Sequence, residues 1–448
     1  MRLPVFDRRR AGALLPLSAL EAPLGRGGRA FIDWLAEAGF SVWQILPLGP
    51  VGADRSPYWV RSDVAGNAAF LDEGELPDAR AAPDAQFLAD SASWLPDYVL
   101  FEALTRAHGG APFWQWPAQL RDRVPAALAA ARATLAAELA ALTHEQYAFH
   151  VQWERLREYA HGRGVRIFGD LPFYVAPSSV ETWVHRALFQ LTPTGEPAFV
   201  GGVPPDYFSE LGQLWGNPVY DWHAQRRDGY RWWVARVRAQ LSRLDLLRVD
   251  HFRALAAYWA VPAGAADARG GAWHSAPGGE LLSRLREEFS DLPLAAEDLG
   301  VITPDVEALR DGFGLPGMRV LQFGFDADPG NPHRPYLYER ASVVYTGTHD
   351  NDTTAGWYSH LDAETAARVR LYLGVAAEAV PQALIRTALG SVARLAIVPV
   401  QDLLGLGSEA RLNTPGTVSG NWTWRLPPGS LSHDLARRFA ALNAVFGR

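Results

Sequence analysis

Short apolar runs recur along this chain. Each is closed by turn residues and followed by a longer stretch with apolar positions at helical spacing, the alternation expected of a parallel sheet wrapped in helices. Eight runs qualify: residues 42–48, 68–71, 165–171, 244–249, 292–296, 318–325, 343–346 and 395–400. Eight strands, each with its helix, predict an α/β fold of the (β/α)8 TIM barrel type, which exceeds about 400 residues when it carries insertions. The length of 448 residues alone would suggest about three domains.

Two gaps between runs are too long for a simple helical crossover, so insertions are predicted there. Residues 72–164 read as mostly helical, with an Ala-rich helix near 124–143 and the aromatic stretch Phe113-Trp114-Gln115-Trp116-Pro117. Residues 172–243 are rich in Gly and Pro up to Pro218 and helical afterwards. With no internal repeat and no flexible linker, residues 1–448 read as one catalytic barrel carrying helical and loop-rich subdomains.

Composition removes whole classes of function. The net charge of −7, from 42 basic and 49 acidic residues, disfavours a nucleic-acid binder. Hydrophobic residues make up 48% of the chain, enough for a large core and too many for a disordered one. The absence of cysteine excludes disulfides, thiolate metal sites and cysteine nucleophiles. All basic residues are arginine, so Schiff-base, pyridoxal-phosphate and lysine-dependent P-loop chemistry is excluded as well. No apolar run reaches 18 residues, and Pro16 interrupts the N-terminal apolar stretch. A cytoplasmic protein with no membrane partner is expected. The stretch Gly405-Leu406-Gly407-Ser408-Glu409-Ala410 matches a dinucleotide-binding pattern, but the chain turns at once into Asn413-Thr414-Pro415-Gly416 and offers no βαβ unit. HExxH, GxSxG and clustered His ligands do not occur, so neither a metal nor a cofactor is implied.

In a (β/α)8 barrel the chemistry sits at the C-terminal ends of the strands. Asp250 ends the run Leu246-Leu247-Arg248-Val249, Glu297 ends Leu294-Ala295-Ala296, and His349-Asp350 lie just past Tyr345-Thr346. An isolated Asp after a strand most often caps a helix. Three such carboxylates at one barrel mouth instead fit a retaining glycosidase, whose nucleophile and acid/base stand about 5 Å apart. Arg248, two residues before Asp250 on the same side of its strand, would keep that nucleophile ionised, and Glu297 would need a raised pKa to act as the acid.

These segments resemble the 4-α-glucanotransferases (amylomaltases, or disproportionating enzymes) of glycoside hydrolase family 77. The resemblance also covers Trp43-Gln44-Ile45-Leu46-Pro47-Leu48-Gly49-Pro50, Ser56-Pro57-Tyr58, Ala65-Gly66-Asn67 and Gly169-Asp170-Leu171-Pro172. Further on it takes in Gly202-Val203-Pro204-Pro205-Asp206-Tyr207-Phe208-Ser209, Gly212-Gln213-Leu214-Trp215-Gly216-Asn217-Pro218 and Ser408-Glu409-Ala410-Arg411-Leu412-Asn413. It implies that Asp250 is the nucleophile, Glu297 the general acid/base and Asp350 the transition-state stabiliser. His349 would bind sugar hydroxyls, with Tyr58, Asp206, Arg248 and His251 at or near the sugar. The implied substrates are α-1,4-glucans and maltooligosaccharides, with glucose as an acceptor and no cofactor.

Most of the 17 Trp are expected in the core, but oligosaccharide clefts use flat aromatic rings as platforms. Trp215 and Trp259 are the platform candidates, with Trp232-Trp233 expected in the core. The chain departs from the family pattern at Trp59-Val60, where Gln-Ser is common, at Pro177-Ser178-Ser179 in place of Asp-Ser-Ala, and at Ala254, Ala272 and Leu211. None of these positions touches the three carboxylates. The same carboxylates would also serve a retaining α-amylase-type hydrolase, and a non-catalytic glucan-binding protein is the alternative from another class.

Overall fold

The structure, a computed structural model, describes residues 5–77, 82–205, 209–417 and 419–448. Its strands are β1 (Arg10–Leu14), β2 (Val42–Gln44), β3 (Arg166–Leu171), β4 (Phe199–Val203), β5 (Gln213–Pro218) and β6 (Leu246–Val249). They continue as β7 (Ala257–Pro262), β8 (Ala272–Ser275), β9 (Leu294–Ala296), β10 (Gly317–Val320), β11 (Ser342–Tyr345) and β12 (Leu395–Pro399). Eight of them close into a barrel in the order β1-β12-β11-β10-β9-β6-β3-β2, every pairing parallel.

The eight-stranded barrel agrees with the sequence, but one strand differs. Residues 68–71 are not a strand: Ala68–Phe70 is a 3₁₀ turn whose N-cap, Asn67, accepts a hydrogen bond from the Ala69 amide. The missing strand is β1, within the N-terminal stretch. Its sequence, Arg-Ala-Gly-Ala-Leu, has no β-branched or aromatic residue to signal a strand. It is selected by fit between β12 and β2, where a Cβ on Gly12 would lie 2.6 Å from Ile397 and 2.7 Å from the Val42 carbonyl.

A second sheet, of order β5-β4-β7-β8 and antiparallel throughout, stands over the barrel mouth on the segments that follow β3 and β6. No strand is expected here from the sequence, because Gly201-Gly202 and the Gly/Pro-rich flanks carry no alternating pattern. The helices at Leu95–Ala107 and Ala136–Gly162 pack around Phe87, Tyr98, Val99 and Leu142. Among the described residues no single helix is long and apolar enough to cross a membrane. One pair, Pro125–Thr134 with Ala136–Gly162, passes on length and composition but is bent by 82°.

Strand alternation sorts the core into two layers. Leu14, Val42, Phe168, Leu246, Ala295, Met318, Val320, Val343, Tyr345, Leu395 and Ile397 fill the barrel interior. Trp43, Ile167, Leu247, Val249, Val344 and Val398 face the surrounding helices. Burial of each large apolar side chain stabilises the barrel by about 1.5–3 kcal/mol. The inward rows continue by steps of two from Phe168 to Asp170, from Leu246 to Arg248 and Asp250, and from Ala295 to Glu297. The period that fills the core therefore aims these four polar residues at the axis of the C-terminal mouth.

Candidate active site

Arg248 is the hub of the mouth. Its Nη1 donates to both oxygens of Asp170, at 2.8 and 2.7 Å, and its Nη2 lies 2.7 Å from Asp250 Oδ1. Arg248 and Asp170 are almost fully buried, whereas the Asp250 side chain keeps 29% of its surface open to the cleft. Val249 of β6 is in register with Ala296 of β9, so Asp250 and Glu297 are the next residues on adjacent strands. The amide that follows Asp250 ties the two together: His251 N–H donates to Glu297 Oε2 at 2.7 Å, and Leu299 N–H donates to Oε1 at 3.0 Å. His251 achieves this from a left-handed backbone conformation, φ 50°, uncommon for a residue with a side chain.

The opposite side of the mouth is built on the loop after β11. His349 Nε2 lies 2.8 Å from the Tyr58 hydroxyl and 3.3 Å from Asp350 Oδ2, and the Tyr58 and His349 rings stack at 5.3 Å. The Tyr58 hydroxyl donates to Asp170 Oδ2 at 2.8 Å, linking this side to the Arg248 hub. Asn413 Nδ2 donates to Asp350 Oδ1 at 2.6 Å, and Arg411 donates to the Asp350 carbonyl at 2.8 Å. Buried Asp402 anchors the loop by accepting from the Thr346 and Thr354 hydroxyls and the Thr354 amide.

The structure thus brings together Tyr58, Arg248, Asp250, Glu297, His349 and Asp350. Trp215 on β5 stands edge-on to the His251 ring at 4.7 Å, beside the nucleophile candidate. His251 itself is neutral, because burial pushes its pKa down to about 3, and its Nε2 has no partner among the described residues. Its backbone amide, rather than its imidazole, meets the acid/base candidate. Trp259 is not brought to the carboxylates: its Nε1 donates to the Ala268 carbonyl, and its ring packs against Trp273 within the small sheet. Trp232 and Trp233 are buried in the core. Asp206 lies outside the described residues.

Four further neighbours were not singled out from the sequence: Asp170, Asn413, Arg411 and Trp422, whose ring lies 6.0 Å from both Tyr58 and His349. Asp170 is the penultimate residue of β3 and faces the same mouth, so a search for acidic residues near strand ends would have found it. The other three come from the C-terminal loops, and only the fold places them here. Among the described residues no group of three or more His, Asp or Glu side chains is arranged to hold a metal ion.

The chain is similar to known proteins along nearly its whole length. The sequence profile described as 4-alpha-glucanotransferase matches residues 15–85 and 74–432. A 4-alpha-glucanotransferase of Thermus thermophilus is 44% identical over 99% of both chains. The chloroplastic/amyloplastic 4-alpha-glucanotransferase of Solanum tuberosum is 38% identical over 99% of this chain and 87% of its own. Among solved structures, the amylomaltase from Streptococcus agalactiae in complex with acarbose superposes with a TM-score of 0.93 at 31% identity, covering 98% of this chain and 100% of that one. The chain belongs to the 4-alpha-glucanotransferase family, glycoside hydrolase family 77. It is a glucan-transferring enzyme.

In this transferase the three carboxyls are pushed apart in acidity. Burial raises Glu297 to about 7; Arg248 and the two backbone N–H donors pull against that rise, and Asp250 adds to it. Burial also raises Asp250, opposed by Arg248 and assisted by Asp170 and Asp350. The opening of Asp250 to the cleft and its short pair with Arg248 keep it the ionised partner of the two. At Asp350 burial is outweighed by His349 and Asn413, which hold it well below the ordinary carboxylate range. One carboxyl near neutrality beside an anion is the division of labour between acid and nucleophile.

Proposed function

We propose that the transferase disproportionates α-1,4-glucans by double displacement with retention, as a single catalytic unit acting in the cytoplasm. Asp250 Oδ attacks the anomeric carbon while Glu297 gives its proton to the leaving 4-oxygen, so the C1–O bond breaks, a glycosyl ester forms and the reducing-end fragment departs. An acceptor 4-hydroxyl then attacks C1, Glu297 takes its proton back, and Asp250 is released. Asp350 and His349 hold the hydroxyls of the reacting sugar, and Trp215 offers an aromatic face to the sugar beside it. The observation that carries this reading is the register of Asp250 and Glu297 on strands about 4.8 Å apart, bridged by the His251 amide. Acarbose, held by the Streptococcus agalactiae relative, is expected to bind at this mouth.

A hydrolase would build the same intermediate, so the acceptor decides the activity. Water competes at about 55 M, but a well-oriented hydroxyl reaches effective molarities orders of magnitude higher. Pure maltotriose is therefore expected to give glucose plus a ladder of longer maltooligosaccharides, with total reducing ends almost constant and added glucose consumed as an acceptor. Chromatography and a reducing-end assay check this. Steadily rising reducing ends that converge on glucose and maltose would identify a hydrolase.

The pH profile follows from the same groups. Glu297 must be protonated in the free enzyme, so kcat/KM is expected to fall as pH rises through about 7. Asp250 must be ionised, so the acid limb sits above the ordinary Asp value. Initial rates on maltotriose between pH 4 and 9 test both limbs. An alkaline limb that persists unchanged in Glu297→Gln would assign it to another group.

A further inference from the structure

Beside the carboxylates stands a cation that the fold leaves unsatisfied. Arg253 follows His251 by two residues and is 7% exposed, yet among the described residues its side chain makes no hydrogen bond and no ion pair, and its Nε is fully enclosed. The other four buried arginines among the described residues, Arg10, Arg236, Arg248 and Arg310, each hold a carboxylate. What Arg253 does meet is the indole of Trp273 on β8: its guanidinium carbon lies 3.9 Å from the centre of that ring. A buried charge without a partner destabilises a fold. Stacking recovers part of that cost through the faces of the two groups, and it leaves the guanidinium N–H groups, which lie in the plane, free to donate.

Trp273 is itself 41% exposed, with Arg253 on one face, so the rest of the ring is open to a ligand. It does not stand alone. Trp273 is in register with Trp259, Trp259 with Gly202 and Gly202 with Leu214, so these positions form a row across β8, β7, β4 and β5 on one face of the small sheet. Trp259 supports the Trp273 ring edge-on at 5.3 Å. The backbone fixes the side of the mouth on which this pair stands. Phe252 N–H donates to the Glu297 carbonyl at 3.1 Å, and the segment after Glu297 leads to Asp305 in the helix Pro304–Gly312, whose charge acts on Arg253 without forming an ion pair. In the reading above Glu297 protonates the leaving 4-oxygen, so the glucan fragment that departs, and the acceptor that replaces it, extend along this side.

We propose that Trp273 and Arg253 form a binding subsite for the acceptor α-1,4-glucan, beyond the sugar that carries the attacking hydroxyl: the open surface of the indole stacks on a pyranose, and the Arg253 Nη groups donate to its hydroxyls. A pyranose presents an apolar C–H face ringed by neutral oxygens, which a flat ring beside free N–H donors complements. The assignment of this subsite to the acceptor rests on the disproportionation reading above. An arginine kept unpaired at a cost to stability, next to a half-exposed indole and on the side of the acid/base candidate, is the observation that carries it.

The test measures transfer by the full chain from α-maltosyl fluoride onto glucose, maltose, maltotriose or maltotetraose, with the elongated products separated by chromatography. Trp273→Ala is expected to raise the KM for maltotriose and maltotetraose as acceptors about tenfold, while kcat and the KM for glucose stay within about twofold of the parent, because a single sugar does not reach the ring. Arg253→Met keeps the apolar stem and should give the same split without lowering the thermal midpoint, since it removes an unpaired buried charge. Equal losses with glucose and maltotetraose overturn the proposal, as does an unchanged KM for the long acceptors. Competition between inorganic phosphate and maltotetraose in the parent, with the long-acceptor KM untouched by Trp273→Ala, would mark Arg253 as an anion site and overturn it too. If Arg253→Met does not fold, Trp273→Ala, at an exposed position of the edge strand β8, decides the question. If no acceptor is elongated by the parent, the transfer reading fails, and the subsite is read instead from the KM for maltohexaose hydrolysis, which Trp273→Ala must raise for the subsite to stand. The two failures are therefore distinguishable.

Discussion

Replacement of Asp250 by Asn or Ala is expected to abolish transfer and hydrolysis together, by about 10⁵-fold in kcat, the order seen when an enzyme loses its covalent nucleophile. The expectation is specific because, among the described residues, no other carboxylate stands in that register. Asp170 is fully engaged by Arg248 and Tyr58, and Asp350 is held by His349 and Asn413. The fold should survive, since Arg248 keeps its two hydrogen bonds to Asp170 and is not left as an uncompensated buried cation. Rates on maltotriose, with circular dichroism and a thermal melt as controls, make the measurement. Activity within a hundredfold of the parent would mean that a different group attacks the sugar.

Glu297→Gln should lose about 10³-fold on natural glucans, the contribution of a positioned general acid. With an α-maltosyl fluoride donor the outcome differs, because fluoride leaves without protonation. Glycosylation of Asp250 should then proceed while its release, which needs the base, stalls. The covalent glycosyl-enzyme is expected to accumulate and to appear by peptide mass spectrometry on the segment containing Asp250. The variant should fold with a modest loss of stability: its amide keeps one acceptor for the His251 or Leu299 amide, but turns an NH₂ group toward the other donor. A label on Asp350, or no label with rapid turnover, would reverse the assignment of roles.

The positions of the catalytic candidates were legible in the sequence because barrel geometry makes them local. A strand of three or four residues fixes which side chains point inward, and the residue at its end must stand at the mouth, so Arg248, Asp250 and Glu297 follow from period and position alone. The motifs then named the family from a single chain. The expected eight strands were one misplaced. Ala68–Phe70 carries a strand-like composition but is turned by its Asn67 cap, whereas Arg10–Leu14 carries none and is a strand because β12 and β2 leave a slot that only Gly12 fits. Such a slot is a property of two partners 30 and 385 residues away, and no local pattern reports it.

The same reason separates what the sequence and the tertiary structure each decided about the site. Composition by itself excluded thiol, amine and pyridoxal chemistry, and strand ends by themselves supplied the candidates for an acid and a nucleophile. Only the closed barrel determined that Asp170 and Asp250 share one arginine, that the His251 amide rather than its imidazole serves Glu297, and that Trp259 belongs to a small sheet away from the carboxylates. Only it brought Asn413, from the loop after β12, onto Asp350. Acidity is likewise a tertiary quantity. Glu297 and Asp350 begin as ordinary carboxyls in the sequence, and burial beside an anion raises one while a neighbouring imidazole and amide lower the other.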